Sequence, residues 1–177
     1  MPIDLTDFSR EELIKLVRMY AKGWLAMDGC WFLGLEEEKG IDTAIRYDTK
    51  AWERFSPIEA KRIMKEFKIP KEGSLASLEK ALNLRLYAQV NDQEIERPDD
   101  QTLIFRMSGC RVQDARTRDG RADFPCKSVG LVEYSRFAST IDPRIDTECI
   151  ACPPDPHPKE WWCAWKFHLR NPSKMES

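Results

Sequence analysis

The spacing of the apolar residues changes near residue 83, and this change is the strongest constraint on the fold. Before that point apolar residues recur at helical spacing, as in the set Leu13, Leu16, Val17, Tyr20 and Trp24. After it they alternate with polar residues, as strands do, first in the set Leu84, Leu86, Ala88 and Val90. The pattern predicts an α+β protein in which a helical N-terminal half packs on a mostly antiparallel four-stranded sheet.

The N-terminal half contains clear helix boundaries. Ser9 and Glu12 form a capping box that predicts a first helix, which Asp28-Gly29 is expected to interrupt or kink. Gly40 has the position of a residue just after a helix end. Further helices are predicted from Asp42 to Phe55, from Pro57 to a stop at Pro70, and over Ser74 to Leu82.

The sequence pattern of the second half predicts two hairpins, one before and one after a single helix. The alternating run 84–90 and a second run, 103–107, flank the turn at Pro98-Asp99-Asp100. A helix follows over 126–138, and the last two strands are 144–150 and 161–169. We therefore expect a helical region over 1–82, an α+β cysteine-rich region over 83–170 and a tail over 171–177, the first two forming one compact unit.

Charge and hydropathy exclude several classes of partner. The chain has 28 basic and 30 acidic residues, which gives no global attraction to nucleic acid or to anionic lipid. No apolar stretch is long enough to span a bilayer, and the start lacks the features of a secretory signal. These observations predict a cytoplasmic protein whose partner is a small molecule or a protein, with no nucleic acid or membrane.

Five of the six cysteines lie between residues 110 and 163, and only Cys30 precedes them. A chain of 177 residues with 42% hydrophobic residues needs no disulfide framework. In a reducing compartment such thiols are metal-bound, catalytic or simply buried. The clustering therefore indicates either a site or a thiol-rich core.

A metal site is the first of these alternatives. A turn centred at Pro156 would place Cys149 opposite Cys163, with Thr147 opposite Trp165 and Ile145 opposite Phe167, all on one face. Cys149 and Cys152 have the two-residue separation that lets two sulfurs reach one ion. The candidate ligands are Cys110, Cys126, Cys149, Cys152 and Cys163, with His157 and His168 as weaker ones, and the metal would be zinc or an iron–sulfur cluster.

A metal-free catalytic thiol is the second alternative, and it depends on Cys126. If Pro125 begins a helix, Cys126 lies in its first turn, where free backbone N–H groups and Lys127 stabilise a thiolate. No histidine is placed beside it by the sequence. Asp155 is a candidate base or ligand, with a turn position as its simpler interpretation.

Two further sets of residues are candidates for substrate contacts. Asp28 and Trp31 lie in an aromatic helical segment, so that a carboxylate beside indole rings is a candidate pocket wall, while core packing is the simpler interpretation of the aromatics. Arg106 and Arg111 flank Cys110 and are candidates for holding a carboxylate or phosphate. Residues 116–121 are expected to form a solvated loop, and Glu36-Glu37-Glu38 an exposed helix face.

Several short motifs carry a resemblance to known families. They are Met27 to Phe32, Ile58 to Ala60, Cys110 to Gln113, Phe124 to Lys127 and Cys149 to Asp155. With them the chain resembles a family of uncharacterised small cytosolic proteins, a domain of unknown function found mainly in anaerobic bacteria and archaea. Its end, with Cys152, Asp155 and the strand 163–167, is similar to the L-2-amino-thiazoline-4-carboxylate hydrolase-like family, which implies hydrolysis of a C–N bond.

The sequence thus predicts a cysteine-lined zinc or iron–sulfur site that acts on or senses a small anionic molecule. For hydrolysis, Asp155 or Asp28 would move the proton and Arg106 or Arg111 would hold a carboxylate. The alternative is a binding or sensor module in which the metal only joins the sheet to the preceding helix.

Overall fold

Two long antiparallel helices form the N-terminal half in the computed structural model, which describes residues 4–170. A 3₁₀ turn, Leu5–Asp7, leads into α1 (Arg10–Lys39), where the predicted capping box of Ser9 and Glu12 is present. Gly40 separates α1 from α2 (Ile41–Glu66) and has φ +81°, a conformation that side chains other than glycine's rarely adopt. Helix α3 (Ser74–Asn83) completes this half, close to the predicted 74–82.

The predicted breaks inside these helices are wrong. Helix α1 continues through Asp28 and Gly29, since one internal glycine costs only about 1 kcal/mol. Helix α2 likewise continues through Pro57. Its buried face, which includes Trp52, Ala60 and Ile63, runs along both sides of the proline. Packing on the core therefore outweighs the local preference for a helix end.

The second half contains a four-stranded antiparallel sheet, as predicted. Its strands are β1 (Asp92–Asp99), β2 (Thr102–Gly109), β3 (Ile145–Ala151) and β4 (Cys163–Leu169), in the spatial order β1-β2-β4-β3. Two helices connect β2 to β3, namely α4 (Arg111–Arg118) and α5 (Lys127–Ile141). Helix α5 packs on the inner face of the sheet, with the ring of Tyr134 against those of Phe105, Trp165 and Phe167.

The first strand was predicted about eight residues too early. Residues 84–90 form no strand, and Leu86–Gln89 is a 3₁₀ turn. The prediction failed because of Arg85, a polar residue of the alternating pattern that was therefore expected to face solvent. Arg85 is instead 2% exposed and makes ion pairs with Glu59 and Glu133 in the core. Helix α4 was also missed, since residues 116–121 were expected to be a solvated loop.

The final hairpin has a register two residues from the predicted one. Cys149 pairs with Trp165, Thr147 with Phe167 and Ile145 with Leu169, with an irregularity between Cys149 and Ala151. A long proline-rich connection does not fix the centre of the turn as a two-residue turn does. The observed pairing therefore differs from the one predicted from a turn centred at Pro156. An even shift keeps every side chain on its predicted face.

The two regions predicted as 1–82 and 83–170 are in contact, because α2 packs along α5. The predicted tail, 171–177, lies outside the described residues. Within residues 4–170, no helix combines the length and the apolar character needed to cross a membrane.

Candidate functional site

A cavity of about 540 Å³ opens between the helical half and the end of the sheet. Helices α1 and α2 form one wall, α4 forms the rim and the start of α5 forms the floor, beside the ends of β2 and β4. Five cysteines line it: Cys30, Cys110, Cys126, Cys152 and Cys163. Four of the five cysteines that cluster in the sequence therefore meet at one place in the fold, and Cys30 joins them from α1.

Cys126 and Cys152 form a pair of sulfurs whose Sγ atoms are 3.5 Å apart. Cys126 is the residue just before α5, and Cys152 follows β3. The backbone N–H of Lys127 donates to the carbonyl of Pro153 at 3.0 Å, which holds the loop after β3 against the start of α5. Two thiols that are 26 residues apart in the chain are thus brought into contact.

Three groups stabilise negative charge on the sulfur of Cys126. Its Sγ lies within hydrogen-bond distance of the Cys152 sulfur, the side-chain amide of Gln113 donates to it at 3.6 Å, and its own backbone N–H also lowers its pKa. The hydrogen bond from Cys152 is the largest cause that lowers the pKa of Cys126, and burial opposes it. Of the two cysteines, Cys126 is therefore the one that loses its proton more readily.

Two other cysteines on the floor, Cys152 and Cys110, lose their protons less readily than a free cysteine. The pKa of Cys152 is raised far above its usual range by its hydrogen bonds to Cys126 and Cys163 and by burial. Burial raises the pKa of Cys110 to about 12. The sulfur of Cys163 accepts a hydrogen bond from the indole N–H of Trp165 at 3.4 Å. The floor thus combines one cysteine whose pKa is lowered with two whose pKa is raised.

Carboxyl groups line the opposite wall. Asp28 comes from α1, Asp48 from α2 and Glu133 from α5. Burial, then the charges of Asp28 and Glu133, raise the pKa of Asp48 to about 7, while a hydrogen bond with Trp52 opposes the shift. Burial also raises the pKa of Asp28. A group that titrates near neutrality and lines the same cavity as a reactive cysteine is suited to proton transfer.

The carboxyl groups of this wall lie next to a buried charge cluster formed by Arg85, Glu59 and Glu133. The guanidinium of Arg85 lies 2.9 Å from Glu59 and 2.7 Å from Glu133, and it also packs against the rings of Trp52, Tyr87, Tyr134 and Phe137. The neighbouring carboxylates raise the pKa of Arg85, although its burial acts in the opposite direction. One cation between two carboxylates leaves the cluster with a net negative charge, which favours protonation of Asp48.

Sequence reasoning missed Asp48 and Gln113. Asp48 has one sequence signal, Trp52 four residues later on the same helix face, but the helix could not be oriented without its partners. Gln113 lies in a helix that was expected to be partly loop. Its amide also bonds both backbone groups of Phe124, which fixes its orientation beside Cys126.

The predicted candidates are divided by the structure into two groups. Cys110, Cys126, Cys152, Cys163, Asp28 and Arg111 line the cavity. Cys149, Asp155, Arg106, Trp31, His157 and His168 do not.

Those outside the cavity have other surroundings. Asp155 forms an ion pair with Lys127 at 2.7 Å, and Arg106 forms one with Glu96 at 2.8 Å. Trp31 is 72% exposed. Burial raises the pKa of Cys149 to about 11.

The rim of the cavity is fixed by an ion pair that the sequence did not suggest. Arg116, expected in a solvated loop, is 8% exposed and forms two hydrogen bonds with Glu36 at 2.7 and 3.0 Å. Glu36, expected on an exposed helix face, is thereby tied to α4. Arg111 remains exposed at the same rim.

Within residues 4–170, no group of three or more His, Cys, Asp or Glu residues is arranged so that it could hold a metal ion. The chemistry of four thiols is nevertheless that of a zinc or iron–sulfur ligand set. Metal binding would therefore require the sulfurs to move closer together.

Comparison with known proteins gives a family and no activity. The chain matches no curated protein and no solved structure. The profile of a family of unknown function (DUF6125) matches residues 6–169. This match covers nearly the whole chain, and the chain therefore belongs to the DUF6125 family.

Proposed function

We propose that this protein is a cysteine-dependent hydrolase that acts on a C–N bond of a small molecule bound in the cavity. The observation that carries the proposal is the position of Cys126, the residue just before α5, whose sulfur lines a cavity that carboxyl groups also line. A thiolate is a strong nucleophile, and a neighbouring acid that titrates near neutral pH can complete the reaction.

The reaction would proceed in two steps. The sulfur of Cys126 attacks the electrophilic carbon, and the C–N bond breaks while protonated Asp48 gives its proton to the departing nitrogen. Water then attacks the carbon of the thioester-like intermediate. Asp48 takes the proton of this water, and the thiolate of Cys126 leaves. Asp48 thus replaces Asp155 as the proton carrier, because Asp155 is paired with Lys127 outside the cavity.

Arg111 supports the proposal of a substrate with an anionic group. It lies at the rim, is exposed, and has five N–H donors suited to a carboxylate. Arg106 does not line the cavity and is already paired with Glu96, so its predicted role passes to Arg111. The likeness of the chain's end to the thiazoline-carboxylate hydrolase-like family supports C–N hydrolysis as the reaction class to test.

The experiment is a screen of small cyclic and open-chain amidines, thiazolines and amides that carry a carboxylate. Release of amine or thiol is measured with wild type, Cys126→Ser and Cys149→Ser. We expect turnover by wild type and by Cys149→Ser, and none by Cys126→Ser. Equal turnover by Cys126→Ser would contradict the proposal. The thiols require a reducing compartment, so we also propose a cytoplasmic location.

A second candidate function follows from the four thiols on the cavity floor. Cys110, Cys126, Cys152 and Cys163 would bind zinc or an iron–sulfur cluster in a non-enzymatic binding or sensor module. Elemental analysis and an absorption spectrum of protein purified without oxygen test it. About one zinc per chain, or iron with sulfide, would favour this candidate, and metal-free protein that is folded would exclude a structural metal.

A further inference from the structure

We propose that Cys126 and Cys152 are a redox-active dithiol that exchanges electrons with small-molecule disulfides. This activity is independent of the proposed hydrolysis, because it needs only the two sulfurs and access to one of them. Their Sγ atoms are 3.5 Å apart, and each comes from a segment held in place by backbone hydrogen bonds.

The two sulfurs differ in access, and this difference assigns their roles. Cys126 is half-buried and lines the open cavity, whose volume of about 540 Å³ admits a small disulfide. Cys152 is 1% exposed. An external disulfide can therefore meet Cys126 first, and Cys152 can react only with the sulfur of Cys126.

The pair can close with little movement. A disulfide has its sulfurs about 2 Å apart, so the two Sγ atoms must approach by about 1.5 Å. The bond from the N–H of Lys127 to the carbonyl of Pro153 already holds the two backbone segments together. Side-chain rotation within this framework is the main change required.

The reaction balances in two exchanges. The thiolate of Cys126 attacks one sulfur of the small disulfide, forms a mixed disulfide and releases the first small thiolate, which takes the proton of Cys152. The sulfur of Cys152 then attacks that of Cys126 and releases the second small thiolate, which takes from water the proton that Cys126 had lost to it. The protein loses two electrons, and the small disulfide gains them as two thiol molecules.

Cys163 is the competing partner of Cys152, since both residues line the floor of the same cavity. Its sulfur is held by the indole N–H of Trp165 at 3.4 Å, and its backbone is fixed in β4 opposite Met107. An external disulfide that meets Cys126 first leads to the Cys126–Cys152 bond, and Cys163 remains a thiol.

The test uses full-length reduced protein in which the cysteines outside this floor, Cys30 and Cys149, are replaced by serine. Bis(2-hydroxyethyl) disulfide is added, and intact mass and peptide mapping follow the products. We expect this background to lose two hydrogens and to contain a Cys126–Cys152 link. Addition of Cys152→Ser should stop the reaction at a mixed disulfide on Cys126, and addition of Cys126→Ser should leave Cys152 as a thiol.

Cys163→Ser in the same background is the matched control and should still form the Cys126–Cys152 link. Circular dichroism checks folding, and Cys152→Ala replaces Cys152→Ser if the serine variant is unfolded. A Cys152–Cys163 link in the background protein, or no adduct on Cys126 in the folded Cys152 variant, would overturn the proposal. Hydrolytic activity has no part in these readouts, so a failure here is distinct from a failure of the proposed hydrolase.

Discussion

The side-chain amide of Gln113 donates a hydrogen bond to the sulfur of Cys126 over 3.6 Å. The same amide nitrogen donates to the carbonyl of Phe124 at 2.9 Å, and the amide oxygen accepts from the N–H of Phe124 at 2.9 Å. These two backbone bonds fix which end of the amide faces the sulfur. A donor is thus held beside Cys126 by the chain segment that precedes it.

Gln113→Glu should raise the pKa of Cys126. The carboxylate can still accept from the N–H of Phe124, but it offers no hydrogen to the sulfur and adds a like charge. We expect alkylation of Cys126 at neutral pH to slow by about one order of magnitude, as a pKa rise of about one unit implies. The measurement is the alkylation rate as a function of pH, with peptide mapping.

Gln89→Glu is the matched control, since it makes the same change on the exposed turn Leu86–Gln89. It should leave the rate at Cys126 unchanged. A Gln113→Glu profile identical to that of wild type would show that the amide does not act on the sulfur.

Asp48→Asn should make the protein more stable above neutral pH while it removes the proposed proton carrier. The pKa of Asp48 is raised from 3.8 to about 7, so the folded state holds a proton that the unfolded state releases. The contribution of this proton to the stability of the folded state relative to the unfolded state is complete below pH 3.8, and it is lost as the pH rises through about 7. The Asp48→Asn variant does not lose stability in this way, because asparagine does not titrate.

Urea unfolding from pH 4 to pH 8 measures this effect. The stability of wild type relative to Asp48→Asn should fall as the pH rises through this range. Glu94→Gln, an exposed carboxyl on β1, should not change the wild-type slope. A wild-type slope retained in Asp48→Asn would mean that Asp48 is not the titrating group.

The sequence predicted the fold class well because the change in apolar period is a local property. It also predicted the thiol cluster, since the number and clustering of cysteines are visible without coordinates. The prediction of a strand over residues 84–90 was wrong for a physical reason. Arg85 is buried between two carboxylates that come from distant parts of the chain. No local pattern signals such a contact.

The candidate site was predicted only in part, because part of it also depends on contacts between distant segments of the chain. Cys126 could be placed at a helix start from Pro125 alone, and it does precede α5. Asp48 and Gln113 reach the cavity only through the packing of α2 and α4, which depends on contacts between distant segments. Asp155 and Trp31 carried plausible local chemistry, but their side chains lie elsewhere.

Gly130→Ala should destabilise the fold and disturb the cavity floor. A Cβ at Gly130 would lie 2.6 Å from Cζ2 of Trp165, a buried ring with little room to move. Such overpacking costs about 1–3 kcal/mol of unfolding free energy. Gly23→Ala in α1 is the control, because a Cβ there meets no atom within 4 Å and should be neutral or stabilise by up to about 1 kcal/mol. Denaturant unfolding of both variants checks this, and equal effects would contradict the packing argument.

Arg85→Ala should be among the most destabilising substitutions in the core. Its removal leaves Glu59 and Glu133 buried without a cation, and breaking a buried ion pair on one side costs about 3–5 kcal/mol. The matched control is Arg136→Ala, which breaks an exposed pair with Glu53 and should cost at most about 1 kcal/mol. Unfolding free energies that are equal for the two variants would contradict the role of Arg85.

The central claim is that Cys126 is the reactive thiolate of the cavity, and competitive alkylation of the native protein tests it most directly. Reduced protein is treated with limiting iodoacetamide across pH 5–9, and modification at each cysteine is mapped. Cys30 is the internal standard because it is exposed on α1. We expect Cys126 to be modified ahead of Cys30 at pH 6, with an apparent pKa below the value of about 8.5 typical of a free cysteine. Modification of Cys126 only at alkaline pH, or more slowly than Cys30 throughout, would contradict the account.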